Sequence, residues 1–113
     1  MMLFRSAYWI GQPVAGQEAS FRSLVVDELV PAMRGFPGVR GVQSLWPERM
    51  EDDPPAIHCQ VLVEFADAEA KAAMLACPER IALRPRVMAA AALFDGRLSH
   101  IDFTVGEAAP IAA

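Results

Sequence analysis

Charge is scarce in this 113-residue chain: Asp, Glu, Lys and Arg make up 21% of it, against 54% hydrophobic residues. A lone domain this apolar has surplus greasy surface to hide, which predicts self-association. Positive charge is the scarcer sign. A net charge of -4 and a pI near 5.0 exclude a nucleic-acid partner, because a phosphate backbone demands clustered cations, and leave only local arginines for small anions. There are two cysteines, Cys59 and Cys77, one in a strand pattern and one at a helix break, so no disulfide framework is expected and a reducing cytoplasm fits.

No run approaches the roughly 20 apolar residues that span a bilayer, and the first ten residues, with Arg5 in their middle, are not expected to act as a signal peptide. A soluble, cytoplasmic protein without a membrane partner is expected. Also missing are a phosphate-cradling Gly-rich loop, zinc-ligand spacing and a nucleophile elbow, so neither metal nor cofactor is expected. The length suits one domain over residues 1–106, with an alanine-rich, loose tail over 107–113.

What is present is an alternation of short periodic segments. Leu3 to Ile10 is a first strand, ended by Gly11 to Pro13. From about Gln17, Phe21, Leu24, Val25, Leu29, Ala32, Met33 and Phe36 recur at helical steps, with Pro31 expected to kink or shorten the helix. Val39 to Trp46 is a second strand and the acidic stretch from Pro47 to Pro55 a solvated loop. Ile57 to Phe65 is a third strand, and Asp67 sits where a helix N-cap belongs. Cys77-Pro78 interrupts that helix, a further stretch runs to Phe94 with Pro85 predicting two short pieces, and Asp95-Gly96 turns the chain into a last strand, Leu98 to Val105.

Strand, helix, two strands, helix, strand is the ferredoxin-like α+β pattern: a four-stranded, mainly antiparallel sheet with helices on one face. The first and third strands are expected at its centre, parallel, with the second and fourth at the edges. If the helix side is the apolar side, Cys59, Val61, Val63, Ile101 and Phe103 face the helices, and His58, His100 and Asp102 face away. The first strand is assigned Phe4, Ser6, Tyr8 and Ile10 toward the helices and Arg5 and Trp9 away. The strands of His58 and His100 are expected to run in opposite senses, so the two histidines should not meet within one subunit.

The stretch Cys59 to Phe65 with Asp67, Ala68 and Glu69, then Cys77-Pro78-Glu79, a short helix and a closing strand, resembles the EthD group of dimeric α+β barrel proteins. The resemblance implies a homodimer in which two four-stranded sheets pack face to face with the helices outside. It further implies a place among cofactor-independent monooxygenases, isomerases, and small decarboxylases or cyclases, alongside haem-handling proteins and many of unknown role. EthD-like chains often carry a His-Pro step after the first strand. Here Gly11 to Gln17 holds Pro13 and no histidine, so no residue there inherits that role.

As the side chains that titrate near neutrality, His58 and His100 are the candidate general acids or bases, with Asp102 placed two residues on to orient His100. Equally, these are polar groups of a surface or dimer interface. Ser6, Tyr8 and Cys59 are the candidate ligand contacts in an otherwise apolar layer between sheet and helices, and Trp9 and Trp46 are stacking surfaces for an aromatic ligand or interface residues. Cys59, buried with no base beside it, is expected to be inert. Arg80, Arg84 and Arg86 have the chemistry to hold a carboxylate or phosphate, although a solvated helix face is the expectation. The sequence thus leaves open an EthD-like homodimer that binds an aromatic or apolar small molecule, with or without transforming it, and a non-catalytic accessory homodimer whose polar sheet face is its interface.

Overall fold

Trp9, Phe21 and Phe94 meet at one end of a sheet covered by helices, with ring centroids 5.0 to 5.3 Å apart, in a computed structural model that describes residues 2–106. The tail expected after Gly106 lies outside the described residues. The elements are β1 (Leu3–Pro13), α1 (Glu18–Ser23), a π-helical segment (Leu24–Leu29), α2 (Val30–Arg34), β2 (Val39–Leu45), β3 (Ile57–Phe65), α3 (Ala68–Ala76), α4 (Pro78–Ala92) and β4 (Phe94–Thr104). The sheet order is β2-β3-β1-β4, and every pairing is antiparallel.

This is the expected ferredoxin-like α+β fold, with a correction to the strand directions. The central strands β1 and β3 are antiparallel, not parallel, because the β2–β3 hairpin reverses the chain before β3 enters between β2 and β1. It follows that β3 and β4, both antiparallel to β1, run in the same sense rather than in opposite ones.

Cross-strand partners share a sheet face, so register fixes which residues meet the helices. Cys59, Val61, Val63 and Phe65 are buried under the helices as expected. Their β1 partners are Trp9, Ala7, Arg5 and Leu3, whose own β4 partners are Leu98, His100, Asp102 and Thr104. The expected facing of β1 and β4 is therefore inverted. Phe4, Ser6, Tyr8 and Ile10 lie on the open face with Ile101 and Phe103, while Arg5, Trp9, His100 and Asp102 lie on the helix side. The physical reason is that β1 is apolar on both faces and that the apolar stripe of β4 serves the open face.

The two prolines expected to break helices, Pro31 and Pro85, are accommodated. The π-helical segment just before Pro31 has its closing amide, Val30 N–H, bonded to the carbonyl of Val25, five residues back, and the helical path continues to Arg34. Pro85 sits inside α4 without dividing it. The Asp67 carboxylate accepts from the Ala70 amide at 2.8 Å, capping α3, and Cys77 separates α3 from α4 with Pro78 opening the latter.

The β1–β4 ladder extends past both expected limits, through Gly11 opposite Gly96. Their φ angles are +129° and +155°, and a Cβ on Gly96 would collide with the Ile10 carbonyl oxygen. Only glycine permits strands this close at that point. Among the described residues no helix is long and apolar enough to cross a membrane.

Candidate functional site

A cavity of about 180 Å³ separates the sheet from the helices. Its floor is Arg5, Ala7 and Trp9 of β1, Val61 and Val63 of β3, and Leu98 and His100 of β4. Leu29 of the π-helical segment, Met33 of α2 and Met74 of α3 close one side, and Ile81, Leu83, Arg84 and Val87 of α4 the other. The gap has a local cause. Ala7 stands mid-sheet between Val61 and His100, and its single methyl leaves unfilled the volume a large residue would take. Ile81 is 62% exposed although it lines the cavity, so the space opens to solvent along α4.

The charged and titratable groups of this cavity are all basic: Arg5, Arg80, Arg84 and His100. Behind them Arg5 donates to both oxygens of Asp102, at 3.0 and 3.3 Å, and Lys71 from α3 donates to the same carboxylate at 3.1 Å. Burial pushes the Asp102 carboxyl up, but Lys71 and Arg5 together outweigh it and hold the group below the usual carboxylate range. His100 is lowered from its ordinary value by partial burial and by the guanidinium charges of Arg5 and Arg80, against which Asp102 acts in the raising direction. A neutral imidazole results at pH 7, able to accept a proton from a molecule in the cavity.

Asp102 does not orient His100 in the way their spacing suggests. The two share the helix side, but the carboxylate is engaged by Arg5 and Lys71, and among the described residues no hydrogen bond joins it to the imidazole.

His58 lies elsewhere. A bulge in β3 inserts it between the partners of Trp9 and Ile10, and it is on the helix side rather than facing away. Its ring sits 5.6 Å from Phe21, 5.7 Å from Trp46 and 5.9 Å from Phe94. Trp46 donates its indole N–H to Ser44 Oγ at 3.0 Å and carries the Arg22 guanidinium 4.4 Å above its ring. Burial and then Arg22 lower the His58 pKa, with Glu18 opposing. These groups border a second, open depression next to α1 and the loop after β2. His58 and Trp46 are thus brought together, and His100 is in a different depression.

Tyr8 and Ser6, expected toward the helices, do not line the cavity. Both are on the open face, where the buried Ser6 hydroxyl donates to Gln60 Oε1 at 2.7 Å. Cys59 is fully buried, and burial pushes its thiol up to about 12, which leaves no thiolate at neutral pH. Trp9, a candidate stacking or interface residue from the sequence, stands in the cavity floor, whereas Arg5 and Ala7 are not foreseen there and have no visible signal in β1, where large and small residues occupy both faces. Among the described residues no group of three His, Cys, Asp or Glu side chains is placed to hold a metal ion.

No protein-family model matches the chain, and no curated protein matches it. Solved structures do. An EthD family protein from Bacillus halodurans is 16% identical with a TM-score of 0.73, over 94% of this chain and 100% of that one. SnoaB, a cofactor-independent oxygenase from Streptomyces nogalater, is 22% identical, with a TM-score of 0.61 over 97% of each chain. A dimeric ferredoxin-like protein of unknown function from Jannaschia is 17% identical, with a TM-score of 0.63 over 93% of this chain and 100% of that one. At these identities the likeness shows the fold, and the fold is the one the EthD resemblance implied.

Proposed function

We propose that the cavity between sheet and helices binds an aromatic or other apolar small molecule, and that His100 exchanges a proton with it in a reaction needing no bound cofactor. The observation that carries this is a space of about 180 Å³, apolar in its walls, with a neutral imidazole at its edge. A wholly apolar cavity of ~150 Å³ accommodates benzene. One aromatic ring with short substituents therefore fits. The cofactor-independent oxygenase with the same fold supports the reading by analogy only.

We further propose that the chain acts as a homodimer joined through the open sheet face, as the description of the Jannaschia protein as dimeric suggests. Ile101 and Phe103 on that face are 48% and 40% exposed, an apolar stripe that a second copy would cover. This arrangement serves equally a non-catalytic accessory protein. The two differ at His100.

Titrating benzyl alcohol and following both ligand NMR signals and the intrinsic fluorescence of Trp9, isolated in a Trp46→Phe background, tests the binding step. Ile81→Trp, at an exposed position of the mouth, should weaken binding by at least about tenfold while leaving the fold intact. An unchanged affinity in this variant, or no binding to the wild type, would remove the cavity as the site. His100→Gln that binds normally and also turns over normally would leave only the accessory role.

A further inference from the structure

We propose that the molecule taken by this cavity is a carboxylate, with its apolar body against Ala7 and Trp9 and its anionic end held at the mouth by Arg80 and Arg84. This rests on the cavity being a binding site and adds the charge of what it binds.

Arg80 and Arg84 are four residues apart on α4, which stacks them on one face of the helix, and both line the cavity. Adjacent like charges at this spacing repel. Helices ordinarily relieve such pairs with an acidic residue three or four positions away, but those positions around Arg80 and Arg84 hold Ala76, Cys77, Ile81, Leu83, Val87 and Met88. Among the described residues neither guanidinium has a carboxylate partner. Arg80 donates once, to the Leu75 carbonyl at 3.3 Å, which leaves most of its fork unused.

The neighbouring arginine behaves differently. Arg86 points to Glu28, 4.0 Å away, and does not line the cavity. Among the described residues no carboxylate lines the cavity, and Asp102, the acid paired with Arg5 of its floor, is already shared with Lys71. Two guanidiniums at an apolar mouth, with a third on the floor, form a local surplus of positive charge in a chain whose net charge is -4. A planar carboxylate matches the arginine fork geometry and relieves the repulsion, whereas a neutral ligand leaves it in place.

The same position separates the ligand's two ends. Its carboxylate at α4 leaves the apolar body to reach the floor, where Ala7, Trp9 and His100 stand.

The test compares 4-methylbenzoate with 4-methylbenzyl alcohol, alike in shape and differing in charge, by calorimetry and ligand NMR on the full chain. The acid anion should bind the wild type about tenfold more tightly than the alcohol. Arg80→Gln and Arg84→Gln should each shrink that ratio severalfold, and Arg86→Gln should not change it. Equal affinity for the two probes overturns the carboxylate assignment and leaves the cavity reading standing. A preference that survives both substitutions also overturns it, because the anion is then held elsewhere. If neither probe binds, the cavity reading fails and this inference with it.

Discussion

His100 stands directly opposite Ala7 on the neighbouring strand, so the imidazole has a single methyl beside it instead of another large side chain and borders the cavity above it. That juxtaposition makes Ala7 the residue that decides whether there is a cavity at all. Ala7→Leu should fill much of it and reduce binding of benzyl alcohol by more than about tenfold. Added methylenes in a packed layer cost about 1–3 kcal/mol, but here they enter existing space, so the stability change should be small. Urea unfolding alongside the binding titration separates the two effects.

Asp102 raises the pKa of His100, while Arg5 and Arg80 lower it. Asp102→Asn should therefore drop the His100 pKa further and keep the imidazole neutral to lower pH. The lost ion pairs are partly exposed and salt-screened, so the stability cost should stay within about 1 kcal/mol. NMR titration of the His100 ring reads the first effect directly. A rise in its pKa in this variant would contradict the assigned charge pattern.

Both histidines have folded-state pKa values below the ordinary 6.5. The unfolded chain thus takes up protons first as the pH falls, and stability declines from about pH 7 downward. Asp102, also lowered, contributes stability that persists to more acid pH and is lost only below the ordinary carboxylate value of 3.8. Urea midpoints at a series of pH values should show the histidine-linked slope in the wild type. His58→Gln and His100→Gln should each flatten it, and the double variant should remove it.

How much of this is legible in the sequence depends on how one-sided each strand is. β3 has a single apolar face from Cys59 to Phe65, and its facing is readable, except at His58, where a bulge that no alternation announces brings the ring to Phe21 and Trp46. β1 presents Phe4, Tyr8 and Ile10 on one face and Leu3, Ala7 and Trp9 on the other, so alternation alone cannot orient it. β4 alternates clearly, but Ile101 and Phe103 serve the open face, and assuming a polar open face inverts the strand. The order of elements survives these errors because turn and cap residues such as Asp67 and Pro78 are local signals. A cavity is a sum over several elements and has no such signal.

Gly96→Ala should be among the most damaging substitutions in the chain. The new methyl would meet the Ile10 carbonyl and the Phe94 ring at a backbone φ of +155° that other residues rarely adopt. Strain of this kind costs about 1–3 kcal/mol before any clash is counted. Gly41→Ala, in β2 with nothing within 4 Å of the added Cβ, is the matched control and should change stability by no more than about 0.5 kcal/mol. Thermal or urea unfolding of the two variants checks the contrast.

The open face carries the remaining prediction. Phe103 pairs with Phe4 across β1 and β4, and Ile101 with Ser6, so an apolar stripe runs down the edge of a sheet face that no helix covers among the described residues. A homodimer through this face buries the stripe, and a charge placed there must then be desolvated or left unpaired. Phe103→Asp should convert the proposed dimer to monomer in analytical ultracentrifugation. Neither Phe103 nor Ile101 lines the cavity, so binding of benzyl alcohol should survive in that monomer if the site is complete within one subunit. A variant that stays dimeric would move the interface to another surface, and a monomer that loses binding would show that the partner completes or braces the site.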